Sequence, residues 1–358
     1  MALVYNVNSS ATQVLAAKKV KENIFLDLVH KNGYGVNQEE ATNASTIRFL
    51  KVSQFDASAR KLSNGSTTLT NGGFFNGNDA VIPTVPEYDL ELLYVYDQVV
   101  DLPEVQQDMV PVNIFDQASK NIGGRIATEI NASTIAHQLK PVFDAAKAST
   151  ASGADKWANL AVLLEATNPD YYGAILTASS MLDNGDETNG IQAFPFDERE
   201  YLLRPSFRRG LLSSKGVLVG GSNYAQSMIA KGAVSPEDRK EWGSMYCGEI
   251  DLTPCYLVPD TIWNRAKVWA SSNSTTGGIH AAVNGVQAIA CAASATDRGI
   301  SFLDYIKIID SPDGAGKRLQ PKTRWGVNVC YPKGIVPILA NGTAAPTTEI
   351  TISAPGNV

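Results

Sequence analysis

Between Asp108 and Lys140 the chain reads DMVPVNIFDQASKNIGGRIATEINASTIAHQLK, and Ile114, Ala118, Ile122, Ile126 and Ile130 fall at every fourth position. Residues three and four apart share one face of a helix, and Ala127, Ile135 and Leu139 extend the stripe. Pro111 suits a first helical turn, where its missing N–H costs nothing. Pro141 predicts a stop. From Pro111 to Leu139 such a helix is roughly 40 Å long, so the rest of the chain must be arranged along it. Gly123 and Gly124 should weaken it by about 1 kcal/mol each relative to Ala. Their smallness lets another backbone pass close. A long surface helix on an ordinary core would show the same stripe.

The chain has 358 residues, 18% of them charged, with a formal net charge of -6. That length suits two units or one elongated one. Sparse charge with plentiful Gly, Asn, Ser, Thr and Ala suits a β-rich or large-interface protein. No Lys/Arg-dense run marks a nucleic-acid reader. The pairs Lys18-Lys19 and Arg208-Arg209 read as solvated. Cys247, Cys255, Cys291 and Cys330 form no CxxC pair and read as reduced, partly buried thiols. The first residues lack the apolar core of a signal peptide, and no stretch is apolar enough over about 18 residues to predict a membrane span.

Residues 1–45 read as a polar arm with one amphipathic helix from about Ser10 to His30. Ile47 and Phe49 open a strand. The segment from Ser53 to Val81 is rich in Asn and Gly, with Phe74 and Phe75 as its main apolar anchors. Over roughly 30 residues it has little to bury, which predicts disorder or a long hairpin ordered by another chain. The return strand is the clearest in the chain. Tyr88, Leu90, Leu92, Tyr94 and Tyr96 alternate with Glu87, Asp89 and Glu91, giving an apolar and an acidic face at period two. From Thr46 to Pro86 the charges are Arg48, Lys51, Arg60 and Lys61 against Asp56 and Asp79; from Glu87 to Asp101 all are acidic. A basic loop before an acidic strand is self-complementary between copies, which marks Arg60, Lys61, Phe74, Phe75, Glu87, Asp89 and Glu91 as candidate intersubunit contacts. Two wet surfaces would show the same signs.

Further along, the patterns predict helices over Ala154–Thr167, Tyr171–Leu182 and Thr261–Trp269, and a helix or loop over Phe207–Leu212. Strands are expected at Glu200–Leu203 and, as a pair or bulged strand, at Gly248–Val258. Gly277–Ala295 reads as a strand and then a helix. Late strands at Tyr305–Ile309, Gly326–Tyr331, Gly334–Leu339 and Thr348–Ile352 are placed to return beside the Tyr88–Val100 strand, next to the long helix.

The motifs of chemistry are missing. No GxxxxGK[ST] and no GxSxG occurs, and Val217 to Ser222 lacks the GxGxxG of a dinucleotide turn. His30, His137 and His280 share no metal spacing with the cysteines. The pairs Glu39-Glu40, Glu198/Glu200 and Glu249/Asp251 fit solvated turns or strand faces better than acid–base pairs. No catalytic, cofactor or metal residue is assigned, and an enzyme is not the expectation.

The order of these pieces resembles the major capsid protein of tailed bacteriophages, the Hong Kong-97-type shell fold of class α+β. Three stretches carry the resemblance. A helix leads through Ala193-Phe194-Pro195 and Arg199 to a strand ending at Pro205. Gly248-Glu249-Ile250-Asp251 with Tyr256-Leu257-Val258 resembles the family's Gly-x-Ile-x-Gly region, although Leu252 and Thr253 stand where a second Gly is usual. Gly285 to Ala292 resembles its late Ala-Ile-Ala segment. The resemblance implies an N-terminal arm (1–45), an extended-loop hairpin (46–86), a peripheral domain with the spine helix (87–150 and 306–358) and an axial domain (151–305). It implies self-assembly into hexamers and pentamers of an icosahedral virion shell around double-stranded DNA, in the host cytoplasm, without cofactor or membrane. Partners would be a separate scaffolding protein, a portal, decoration proteins and the packaged DNA through non-specific proximity. Some relatives cross-link through a loop lysine, for which Lys51 and Lys61 are available. A nanocompartment shell enclosing cargo enzymes shares the fold, and an α/β enzyme with an unfamiliar site is the other alternative.

Overall fold

The computed structural model describes residues 10–29, 34–50, 87–97, 99–103, 114–186, 189, 191, 193–213, 243–250, 253–271, 277–302, 307–310 and 316–355. The loop from Ser53 to Val81, with Arg60, Lys61, Phe74 and Phe75, and the motif at Val217–Ser222 lie outside these residues, as does His30.

Helix α1 (Ser10–Asp27) precedes strands β1 (Asn37–Thr42), β2 (Thr46–Leu50), β3 (Glu87–Glu91), β4 (Tyr94–Tyr96) and β5 (Val100–Pro103). The spine is α2 (Ile114–Ala148). Its stripe is buried from Ile122 through Ile126, Ile130, Ile135 and Leu139. The glycines do what their size allows: a Cβ on Gly123 would lie 2.7 Å from Asn23 Cβ, so α1 packs against the spine at that point.

Pro141 does not end the helix; α2 runs through it to Ala148. A mid-helix proline costs about 3 kcal/mol. The added turns bury Val142, Phe143 and Ala146, and a buried Val or Phe returns about 1.5–3 kcal/mol. The same turns hold the C-terminal tail. Lys140 Nζ donates to the Ile350 carbonyl at 2.7 Å, and the Ile350 N–H donates to Asp144 at 2.8 Å. That clamp explains why Thr348–Ile352 is an extended strap rather than the expected strand.

The second half carries β6 (Val162–Leu163), α3 (Tyr171–Asp183), β7 (Arg199–Leu203), α4 (Pro205–Ser213), β8 (Tyr246–Ile250), β9 (Thr253–Leu257), α5 (Asp260–Ala270), α6 (Ile279–Gly285), β10 (Val286–Ala292), β11 (Thr296–Phe302), β12 (Lys307–Asp310), β13 (Gly316–Gln320), β14 (Thr323–Val329) and β15 (Ile335–Leu339). The stretch from Gly248 to Val258 is the strand pair of its two expected forms, β8 against β9, with an irregularity in register between Tyr246 and Gly248.

Two expectations are corrected here. Ala154–Thr167 is a short 3-10 turn at Gly153–Trp157 and then β6, because Asn159 takes a left-handed φ of 59° and Trp157 is drawn into the core, donating to the Thr343 carbonyl at 2.9 Å. Gly277–Ala295 is a helix and then a strand, the reverse of the expected order. Its small residues fit β10, squeezed between β15 and β7 in the middle of a sheet.

The strands form a six-stranded sheet in the order β6-β15-β10-β7-β9-β8, a four-stranded sheet β1-β11-β14-β4, a three-stranded sheet β12-β13-β5 and the ribbon β2-β3. The late strands do return beside the early ones: β14 pairs with β4 and β13 with β5. One core cluster joins the spine, α1, α5 and the four-stranded sheet; a second lies on the other face of the six-stranded sheet under α3 and α4.

The six-stranded sheet buries charge that the sequence placed on a solvated face. Glu200 and Arg199 on β7 are fully buried. Arg199 bonds the Phe194 carbonyl at 3.1 Å and Ser179 Oγ at 3.0 Å, and pairs with Asp183 at 2.6 Å. Arg298 on β11 is equally buried, donating to the Val29 carbonyl and to Gln38, each at 3.0 Å. Burial pulls its pKa down to about 10, against the opposing pull of the Glu200 charge.

Candidate functional site

The acidic strand is built differently from the single run that its alternation predicts. It breaks at Leu92-Leu93: β3 pairs with β2, whereas β4 pairs with β14 of another sheet. One stretch of chain thus belongs to two sheets, and the break lets the β2-β3 ribbon cross over the four-stranded sheet. Two glycines make that crossing possible. Gly299 and Gly326 face each other across the β11-β14 ladder. A Cβ on Gly299 would meet Leu92 at 2.9 Å and Ile47 at 3.1 Å; one on Gly326 would strike the Glu91 carbonyl. Ile47, Phe49, Leu90 and Leu92 form a small core of their own in the saddle.

The inward face of the ribbon is anchored by a buried polar cluster. The Tyr88 hydroxyl donates to Asp297, which also accepts from Asn37 Nδ2 at 3.1 Å and from Cys330 Sγ at 3.2 Å. Asp297 is fully buried on β11. Burial first, and then the Asp297 carboxylate, push the Tyr88 hydroxyl far above the ordinary tyrosine range. It is therefore a fixed donor and not a titrating group. Tyr88 also stacks on Phe49, ring centroids 5.8 Å apart.

On β4, Tyr94 meets Trp269 edge-on at 4.8 Å and lies beside Trp325 and His137. The Tyr94 hydroxyl is 3.1 Å from His137 Nε2, and His137 Nδ1 is 2.7 Å from the Ser133 carbonyl. Burial pulls the His137 pKa down. The Trp325 indole donates to Ser133 and the Trp269 indole to Glu129, which Arg265 also engages at 2.7 Å. These contacts fix β4 to the spine. A groove of about 310 Å³ opens beside β3, with Asp89, Glu91, Leu93, His137 and Asn328 among its walls.

Asp89 and Glu91 point to solvent. Asp89 is already engaged: Arg48, directly opposite on β2, donates to it at 2.9 Å, and this bond and charge hold its carboxyl below the ordinary range. Glu87 opens the same strand opposite Leu50. The structure therefore brings the acidic candidates together, while the loop candidates lie outside the described residues. Leu93 and Val95 are also exposed, and their spacing from Asp89 and Glu91 is the sequence signal for it.

The other chemistry-bearing groups serve packing. Burial raises the thiol of Cys247 to about 11 and pushes those of Cys255 and Cys291 well above the ordinary thiol range, which keeps them protonated. Among the described residues no cluster of three or more His, Cys, Asp or Glu could hold a metal ion, and no helix is long and apolar enough to cross a membrane.

No family model and no curated protein matches the sequence. Solved structures do match in shape. The head of Helicobacter pylori bacteriophage KHP40 is 12% identical, covering 90% of this chain and 91% of that one, with a TM-score of 0.51. The acid-stable capsid of Helicobacter pylori bacteriophage KHP30 is 11% identical over 88% and 90%, also at 0.51. A virus-like particle from Pyrococcus furiosus, 9% identical over 92% and 100%, reaches 0.46. The chain has the fold of these phage capsid structures, an α+β shell fold of the Hong Kong-97 type.

Proposed function

We propose that this chain is a major capsid protein of a tailed bacteriophage, a non-enzymatic subunit that assembles with copies of itself into the pentamers and hexamers of an icosahedral shell around double-stranded DNA. The observation that carries the reading is the shape match to the two Helicobacter phage capsids over about nine-tenths of both partners. The extended chain course supports it: a spine helix with early and late strands gathered beside it, and a ribbon crossing a second sheet. In this reading residues 1–45 are the arm, 46–86 the extended loop, 87–150 and 306–358 the peripheral domain and 151–305 the axial domain. A separate scaffolding protein and a portal are the expected assembly partners. We propose further that assembly draws on charge matching between Arg60 and Lys61 and the carboxylates Glu87, Asp89 and Glu91 of a neighbouring copy, of which Asp89 is already held by Arg48.

The test is expression of the full chain, alone and in infected cells, with micrographs of the assembled fraction and its nucleic-acid content. Closed particles that package DNA during infection are expected. Particles filled with enzyme cargo would favour a nanocompartment, and a small soluble oligomer under all conditions would overturn the assignment. Within the shell reading, the double reversal of Arg60 and Lys61 to Glu should lower particle yield at low salt while leaving circular dichroism unchanged.

A further inference from the structure

The outward row of the crossing strands is not acidic throughout. Asp89, Glu91, Leu93, Val95, Asp97 and Val99 are all exposed at a spacing of two residues. Leu93 is 70% exposed, Val95 43% and Val99 42%. Among the described residues the remaining exposed large hydrophobics are Leu176 and Phe196, so three of five fall within this one short stretch. Single exposed apolar side chains are ordinary; an aligned group rimmed by polar residues marks a contact surface.

The backbone points the same way. Among the described residues β4 is the last strand of its sheet, hydrogen-bonded to β14 on one side. Edge strands are usually shielded by charge or proline at the positions beside them. Here those positions hold Leu93 and Val95, which invite a partner.

We infer that Leu93, Val95 and Val99 form the apolar centre of a contact with a second copy of this chain, with Glu91 and Asp97 as its polar rim. The inference rests on the shell reading and deepens it: charge selects the partner, and this row supplies the dry contact. An apolar centre inside a polar rim is the usual anatomy of a protein interface. The rim is acidic, so it repels nucleic acid and anionic membrane surfaces. It suits a segment with excess cations, and the sequence between Thr46 and Pro86 has that balance, with Arg48, Lys51, Arg60 and Lys61 against Asp56 and Asp79, Arg48 being already paired with Asp89.

Salt separates the two contributions. Ion pairs fade as the screening length falls from about 10 Å at 0.1 M to about 3 Å at 1 M, whereas apolar burial does not weaken with salt. Full-length Leu93→Asp, and separately the milder pair Leu93→Gln with Val95→Thr, would be compared with wild type by light scattering and sedimentation at both salts. The expected result is a loss of assembled fraction of about tenfold or more for Leu93→Asp at low and high salt alike, with an unchanged melting temperature. Hydroxyl-radical footprinting of the wild type needs no variant to fold: Leu93 should be oxidised in unassembled subunits and protected in particles. Variants that assemble like wild type, or a Leu93 labelled equally in both states, would overturn the contact and leave the shell reading standing. A wild-type chain that forms no particles would overturn both.

Discussion

The two faces of the chain between Tyr88 and Val99 have the same local geometry and opposite fates. Inward, Tyr88, Leu90, Leu92 and Tyr94 meet glycines, a buried carboxylate and a tryptophan pair. Outward, Asp89, Glu91, Leu93 and Val95 meet water in the single subunit. Both faces carry apolar side chains, so hydrophobicity alone does not tell core from contact surface. What differs is whether another part of the same chain arrives to cover the face. The inward face is covered by the saddle at Gly299 and Gly326; among the described residues nothing covers the outward face at Leu93 and Val95.

Substitutions on the two faces should break this symmetry in stability measurements on unassembled subunits. Leu90→Ala removes a buried side chain from the small ribbon core and should cost about 2–5 kcal/mol in urea unfolding. Gly326→Ala pushes a methyl group into the Glu91 carbonyl. Because backbone must move to accommodate it, a cost of about 1–3 kcal/mol is expected, with greater hydrogen exchange in β3 and little change in α3. Tyr88→Phe keeps the ring stack but takes a donor from buried Asp297, which should cost about 1–3 kcal/mol. Leu93→Ser, on the outward face, should stay within about 0.5 kcal/mol of wild type. A large loss there would mean that the outward row is covered within the subunit, and the comparison would fail.

The smallest effect is a pH dependence. The folded pKa of His137 is depressed by burial, so the unfolded chain binds its proton more readily. Stability from this group is therefore present above the ordinary histidine value near 6.5 and declines as pH falls below it, levelling once the folded pKa is passed. His137→Gln should flatten that part of the stability–pH profile. An unchanged slope would move its origin away from the spine–β4 contact.

Local spacing carried much of this architecture. The every-fourth-residue stripe from Ile114 to Ile130 determined the spine, and the glycine pair inside it marked the crossing of α1. The alternation after Glu87 determined a strand with two faces, and the short patterns at Tyr171, Glu200 and Thr261 determined their elements. These features depend on residues a few positions apart, whose periodicity is written in the chain itself. The order of the pieces also carried the resemblance that the shape comparison bears out.

The tertiary structure decided what depends on distant partners. Pro141 signals a helix end, but the core reaches past it to Val142 and Phe143, and their burial offsets the missing hydrogen bond. Glu200 has the composition of a solvated strand face, yet β7 sits inside a sheet and takes Glu200 under with it. The Ala-rich segment after Gly277 fits helix or strand equally by its local pattern; pairing with β15 and β7 selects strand from Val286 onward. Spacing puts Leu93 and Val95 on the face opposite Leu90 and Leu92, but it does not say which face the subunit covers. Coverage is a property of two surfaces and sequence spacing describes one, so only the fold could show which of these leucines the subunit keeps for itself.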